Sequence, residues 1–151
     1  MLIEIIFRGL FATVDYSFLG PFILNSKEVR FNSPEMPNLK DFGEVKSILD
    51  ENEYADLIIN TDLFYFGIKE VSKVFINFCK NGDQIEFLIF FDVTELNTGS
   101  LKLNIDYLKS WVEDFQIKHR FSYFICQMDN AQCDEYYFDQ NGLGKLYYEL
   151  P

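Results

Sequence analysis

Histidine occurs once in this 151-residue chain, at position 119, and cysteine only three times, at 79, 126 and 133. Those four positions show no two-residue knuckle spacing, so a Cys3His zinc centre is not expected. An odd cysteine count with no tight framework, and no Asn-x-Ser/Thr acceptor anywhere, argues against a secreted, disulfide-stapled domain. The three thiols read as small buried hydrophobes in a reducing cytoplasm. A Cys–His nucleophile pair is formally open, but His119 is explained more simply by a charge role at a helix end.

Long apolar runs are missing as well. None reaches the roughly 18 residues of a membrane span. The opening Met1-Leu2-Ile3-Glu4-Ile5-Ile6-Phe7 holds an acid within its apolar run and no basic flank, so it reads as a strand rather than a signal peptide. No repeat, low-complexity tract or Gly/Ser linker divides the chain, and one domain over 1–151 is expected. There is no Walker loop and no Gly-x-Ser-x-Gly elbow. Gly142-Leu143-Gly144 is a fragment of a dinucleotide fingerprint, but it sits in a hairpin pattern with no helix after it, so turn chemistry accounts for both glycines.

Positive charge is scarce: 13 Lys and Arg face 24 Asp and Glu, a net charge of −11. Such a field repels phosphate backbones and anionic lipid, which excludes direct nucleic-acid and membrane-surface binding through a basic face. It attracts basic partners, although solubility alone would also explain it. The abundant Phe, Tyr, Asn, Ile and Lys use AT-rich codons, which points to a bacterial or phage gene.

What is present is a large apolar fraction, 48%, enough for a sizeable core and too much for disorder. Strands are expected at Leu2–Phe7, Phe11–Val14, Glu28–Phe31 and Phe121–Met128. Ile85–Phe91 is too apolar to alternate and reads as a central strand covered on both faces. Three helices are expected, near 39–50 with Asn38 as cap, near 67–80 from the Val71, Val74, Phe75, Phe78 spacing, and near 104–117 with Asn104 as cap. Lys80-Asn81-Gly82 reads as a helix stop, and Lys118, His119 and Arg120 as positive charge at the third helix's end. Tyr136–Phe138 and Lys145–Tyr148 flank Asn141-Gly142, a hairpin signal. The expected fold is α+β: a mixed β-sheet with about three helices and a C-terminal β-hairpin.

Asp92 and Glu95 follow the central strand, where a magnesium or acid/base site would be sensible, but a solvated strand-to-loop junction is the far simpler explanation. Two acidic runs remain. In 129–139, Asp129, Asp134, Glu135 and Asp139 surround Tyr136 and Tyr137, with no base; in 50–56, Asp50, Glu51 and Glu53 precede Tyr54. Tyrosines offer rigid contact area and carboxylates accept arginine bidentately, a mixture suited to a basic protein surface. Edge charges that deter aggregation are the plainer explanation.

These two runs and the net charge give the chain a resemblance to the small acidic immunity proteins that bacteria pair with contact-dependent or polymorphic toxins. The resemblance covers the whole chain and includes no diagnostic motif, so it carries over no residue roles. It implies a cytoplasmic, non-catalytic, cofactor-free and metal-free inhibitor of a cognate basic toxin domain, such as a nuclease, whose active site or substrate groove it blocks. Asp129, Asp134, Glu135, Tyr136, Tyr137 and Asp139 are the expected contacts, with Asp50, Glu51, Glu53 and Tyr54 secondary. Two other classes stay open: a phage-encoded or regulatory acidic binding module, and a small carboxylate-dependent enzyme.

Overall fold

Side-chain alternation with a period of two decides most of the backbone. In β1 (Leu2–Leu10), Ile3, Ile5 and Phe7 are fully buried, and β6 (Val74–Asn81) and β7 (Gln84–Asp92) alternate in the same way. The other strands are β2 (Glu28–Ser33), β3 (Tyr54–Thr61), β4 (Phe64–Phe66), β5 (Lys69–Val71), β8 (Tyr123–Met128), β9 (Tyr136–Asp139) and β10 (Gly142–Leu143). The helices are α1 (Leu19–Leu24), α2 (Phe42–Glu51), α3 (Leu101–His119) and α4 (Lys145–Tyr148). This computed structural model describes residues 1–132 and 134–151; Cys133, expected as a buried thiol, lies outside the described residues.

Eight strands form one sheet in the order β10-β9-β8-β1-β7-β6-β3-β2, and β4 and β5 form a separate hairpin. The α+β class and the C-terminal hairpin are as expected, and β7 is interior, between β1 and β6. Pairing among the described residues is antiparallel throughout, where a mixed sheet was the expectation. Parallel neighbours need a long crossover, usually a helix. The segment expected to supply one, 67–80, is strand instead.

That correction has a clear cause. Val71, Val74, Phe75 and Phe78 fit a helical stripe, but Val74, Ile76 and Phe78 equally fit a strand face, and all are buried. Five β-branched or aromatic residues within nine positions favour the strand. Gly82, read as a helix stop, has φ +62 and turns the β6–β7 hairpin, where Asn81 pairs with Gln84.

Smaller differences follow local hydrogen bonds. Asp41, not Asn38, caps α2 by accepting from the Glu44 amide at 2.9 Å. Ser100, not Asn104, caps α3 through the Leu103 amide at 3.1 Å. Asn104 is buried and accepts from the Thr98 amide and hydroxyl at 2.9 and 2.6 Å. Phe11–Val14 is a turn, and Lys145–Tyr148 is a short helix, so the hairpin's second strand is only Gly142–Leu143.

The core is aromatic. The fully buried Phe87 ring meets Phe18 at 4.9 Å, Phe7 at 5.7 Å and Phe115 at 5.9 Å, joining two strands to α3 and to the turn before α1. Trp111 stacks on Phe115 at 4.8 Å and meets Phe66 edge-on at 4.8 Å, while one side remains open to solvent. The β2 edge of the sheet is closed: Phe31 exchanges backbone bonds with Met36, and the Leu39 amide donates to Val29 at 3.0 Å. Replacing Phe87 by alanine should cost about 3–5 kcal/mol, and Trp111→Ala should fall at the low end of that range, near 3 kcal/mol. Urea denaturation at constant m-value measures both; a smaller loss at Phe87 than at Trp111 would contradict this arrangement.

Candidate functional site

The two acidic runs lie toward opposite edges of the sheet. Asp129 and Asp134 are exposed in the loop between β8 and β9, where Glu135 accepts from the Gln132 amide at 3.2 Å. Tyr136 stands opposite Gln127, and Asp139 opposite Ile125. Tyr137, expected as a contact, is buried: a bulge opposite Cys126–Gln127 turns it inward, its hydroxyl lies 3.5 Å from Met1 Sδ, and burial raises its pKa. In the other run, Asp50 is held by Lys46 at 2.7 Å and Tyr16 at 3.2 Å, and the Lys46 hydrogen bond lowers its pKa. Glu51 and Glu53 are exposed, and Tyr54 is 48% exposed at the start of β3.

Between β3 and β9 lie β6, β7, β1 and β8, five inter-strand steps or about 24 Å. The runs do not meet as one patch. They share a face. The contacts of the helices with the sheet fall on the side that carries Phe7, Phe87, Phe78 and Lys80. The opposite side is uncovered by any helix among the described residues.

Register assigns that open side in rows. One runs Ile125, Ile6, Leu88, Asn77, Ile58, Arg30; the next runs Tyr136, Gln127, Glu4, Phe90, Phe75, Asn60, Glu28; the third runs Tyr123, Arg8, Glu86, Cys79, Asp56. Leu88, Phe90, Phe75 and Ile125 are only half-buried there. Thus β7 is covered on one face and not on both. Its apolar run was read as buried on both faces, whereas Leu88 and Phe90 are half-exposed. The legible signal was the alternation from Phe75 to Cys79, hidden by the helical reading of 67–80.

The polar groups of this face are already engaged. Arg8 donates to Glu86 at 3.0 Å and lies 5.0 Å over Tyr123; Arg30 donates to Glu28 at 2.7 Å. Gln127 donates to Glu4 at 2.6 Å, and Asn77 to Asp56. A depression of about 460 Å³ opens beside Arg8, Asn77, Cys79 and Glu86. Burial raises the Cys79 thiol pKa, and the nearby Asp56 charge adds to that.

Among the described residues, the candidate catalytic groups serve other contacts. Asp92 caps a turn through the Thr94 amide at 3.0 Å, while Glu95 turns away to Ser72, at 3.1 Å from its amide and 2.7 Å from its hydroxyl. No group of three His, Cys, Asp or Glu side chains could hold a metal among the described residues. Cys126 is fully buried, which pushes its pKa well up. His119 is buried against Phe18 and Phe115, with Nδ1 3.1 Å from the Asp15 carbonyl. Burial lowers its pKa, so it is neutral at pH 7 and does not supply the positive helix-end charge expected of it. Gly144, read as turn chemistry, is needed for space: a Cβ there would lie 2.4 Å from the Tyr136 carbonyl.

Residues 2–142 match the family model described as PABL017 Cdi1I immunity protein. No curated protein matches the chain. One similar chain belongs to the crystal structure of the toxic C-terminal tip of CdiA from Pseudomonas aeruginosa in complex with immune protein. The similarity has a TM-score of 0.69 and 19% identity, over 96% of this chain and 97% of that one, and is a likeness of fold.

His119 yields a pH prediction. Its folded pKa lies below the unfolded value of about 6.5, so its contribution to stability is present above pH ~6.5 and is lost as pH falls through the lowered folded value. The stability gap between wild type and His119→Gln should therefore narrow between about pH 7 and 5. Thermal melts across that window test it; a constant gap would show that His119 is not buried neutral.

Proposed function

The chain belongs to the PABL017 Cdi1I immunity protein family, and on that basis we propose that it binds the toxin domain produced with it and neutralises it by occupation rather than by chemistry. The family match over 2–142 carries this reading. Two observations support it. The candidate catalytic groups are separately engaged, and the net charge of −11 suits a partner whose own surface is basic.

A toxin domain that acts on nucleic acid needs a positive groove to hold phosphate. An acidic protein is steered toward such a groove, and buried carboxylate–guanidinium pairs slow its release. In this reading the chain acts in the cytoplasm of the producing cell. Asp129, Asp134, Glu135, Tyr136 and Asp139 contribute the main contacts, with Glu51, Glu53 and Tyr54 secondary. Asp50 is tied to Lys46 and Tyr16, and buried Tyr137 supports the strand, so both act through structure.

Mixing the chain with its cognate toxin domain should give a one-to-one complex that abolishes toxin activity. Raising salt from roughly 50 to 500 mM should slow association far more than it changes dissociation. The double change Asp134→Lys and Glu135→Lys should weaken binding at least tenfold in a protein that melts normally. An affinity within twofold of wild type would remove this loop from the interface.

A further inference from the structure

We propose that the uncovered face of the eight-stranded sheet is the docking platform for the toxin domain, with the β9 end of the 129–139 run and Tyr54 at the start of β3 as its opposite rims. This rests on the immunity reading and gives it a surface.

Composition is the first argument. A solvated antiparallel face is normally polar at alternate positions. Here its middle carries Ile6, Leu88, Phe90, Phe75 and Ile125 in adjacent rows, four of them half-exposed. Contiguous apolar surface of this kind on a soluble protein marks an interaction site more often than a solvated face.

Size is the second. The six longer strands span about 24 Å across, and strands of seven or eight residues rise about 24 Å, so the face offers on the order of 600 Å² before its rims are added. Standard interfaces use about 800 Å² per partner.

The third argument selects the occupant. Glu4, Glu28, Asp56 and Glu86 stand on this face against Arg8 and Arg30, and both arginines are already paired, with Glu86 and Glu28. Glu4 and Asp56 meet no cation among the described residues. The rims add Asp139 and Tyr136 at one end and exposed Tyr54 at the other. An apolar centre inside an acidic frame fits a protein that presents an apolar patch ringed by lysine and arginine. A second copy of this chain would set carboxylates against carboxylates. Strand addition is closed off, because Met36 and Leu39 occupy the β2 edge and β10 is two residues long.

Cys79 is a built-in reporter. It lies half-buried on this face beside the Arg8–Glu86 depression, while Cys126 is fully buried beneath the sheet. In a Cys133→Ser background, alkylation of Cys79 by iodoacetamide at about pH 9 is timed with and without saturating cognate toxin domain. The proposal expects at least tenfold slower alkylation in the complex. It also expects Leu88→Glu and Glu86→Lys to weaken affinity at least tenfold, while Asp114→Lys on α3 stays within twofold. Glu86 is exposed and its pair with Arg8 contributes little to stability, so this variant keeps the test open if Leu88→Glu fails to fold. A complex in which Cys79 reacts at the free rate overturns the platform and leaves the immunity reading standing. Absence of any complex with the toxin domain overturns both. Protection of Cys79 that grows with protein concentration alone would assign the face to a second copy and also overturn the proposal.

Discussion

The structure hangs on the aromatic cluster around Phe87. Rings from β1, β6, β7, α1, α3 and the turn before α1 converge there, several within 4.9–6.3 Å of the Phe87 centroid. Aromatic pairs at such distances add about 0.5–1.5 kcal/mol each beyond the area they bury. Because all of these rings lie on one side of the sheet, the helices must lie there too. The bare opposite face follows from where the phenylalanines fall in register.

The same side solves its polar problems without ion pairs. Lys80 is buried, and its ammonium donates to the Leu49 and Asn52 carbonyls at 2.6 and 2.8 Å while lying 4.0 Å from the Phe11 ring centre. It therefore closes the carbonyl end of α2, where positive charge is favourable, and ties that helix to β6. Asn104 does comparable work between α3 and the segment from Val93 to Thr98. These bonds tie the helices of the covered side to the sheet. A face carried on a paired sheet orders little further chain when a partner docks on it.

Charge and shape divide the labour in the proposed complex. The net charge acts at a distance, on encounter. The half-exposed Phe75, Leu88, Phe90 and Ile125 act at contact, on residence time. The contact part matters most for residence, since affinity differences between related complexes lie mostly in dissociation.

How much of this was legible beforehand differs by element. The strands near 2–7, 28–31 and 85–91 and the helices near 39–50 and 104–117 were readable from their apolar spacing or content, although the capping residues were not. The stretch 67–81 was not, because its spacing satisfies a helix stripe and a strand face at once, and only pairing with β3 and β7 decides between them. The acidic-aromatic runs were visible as composition, and the absence of catalytic motifs with them. That Tyr137 turns inward, that the runs lie about 24 Å apart, and that an apolar face lies between Tyr136 and Tyr54 could not be read from the chain. Local spacing specifies which side of a strand is apolar. Which of two apolar sides receives the helices depends on register between strands distant in sequence, and that is settled only when the sheet assembles.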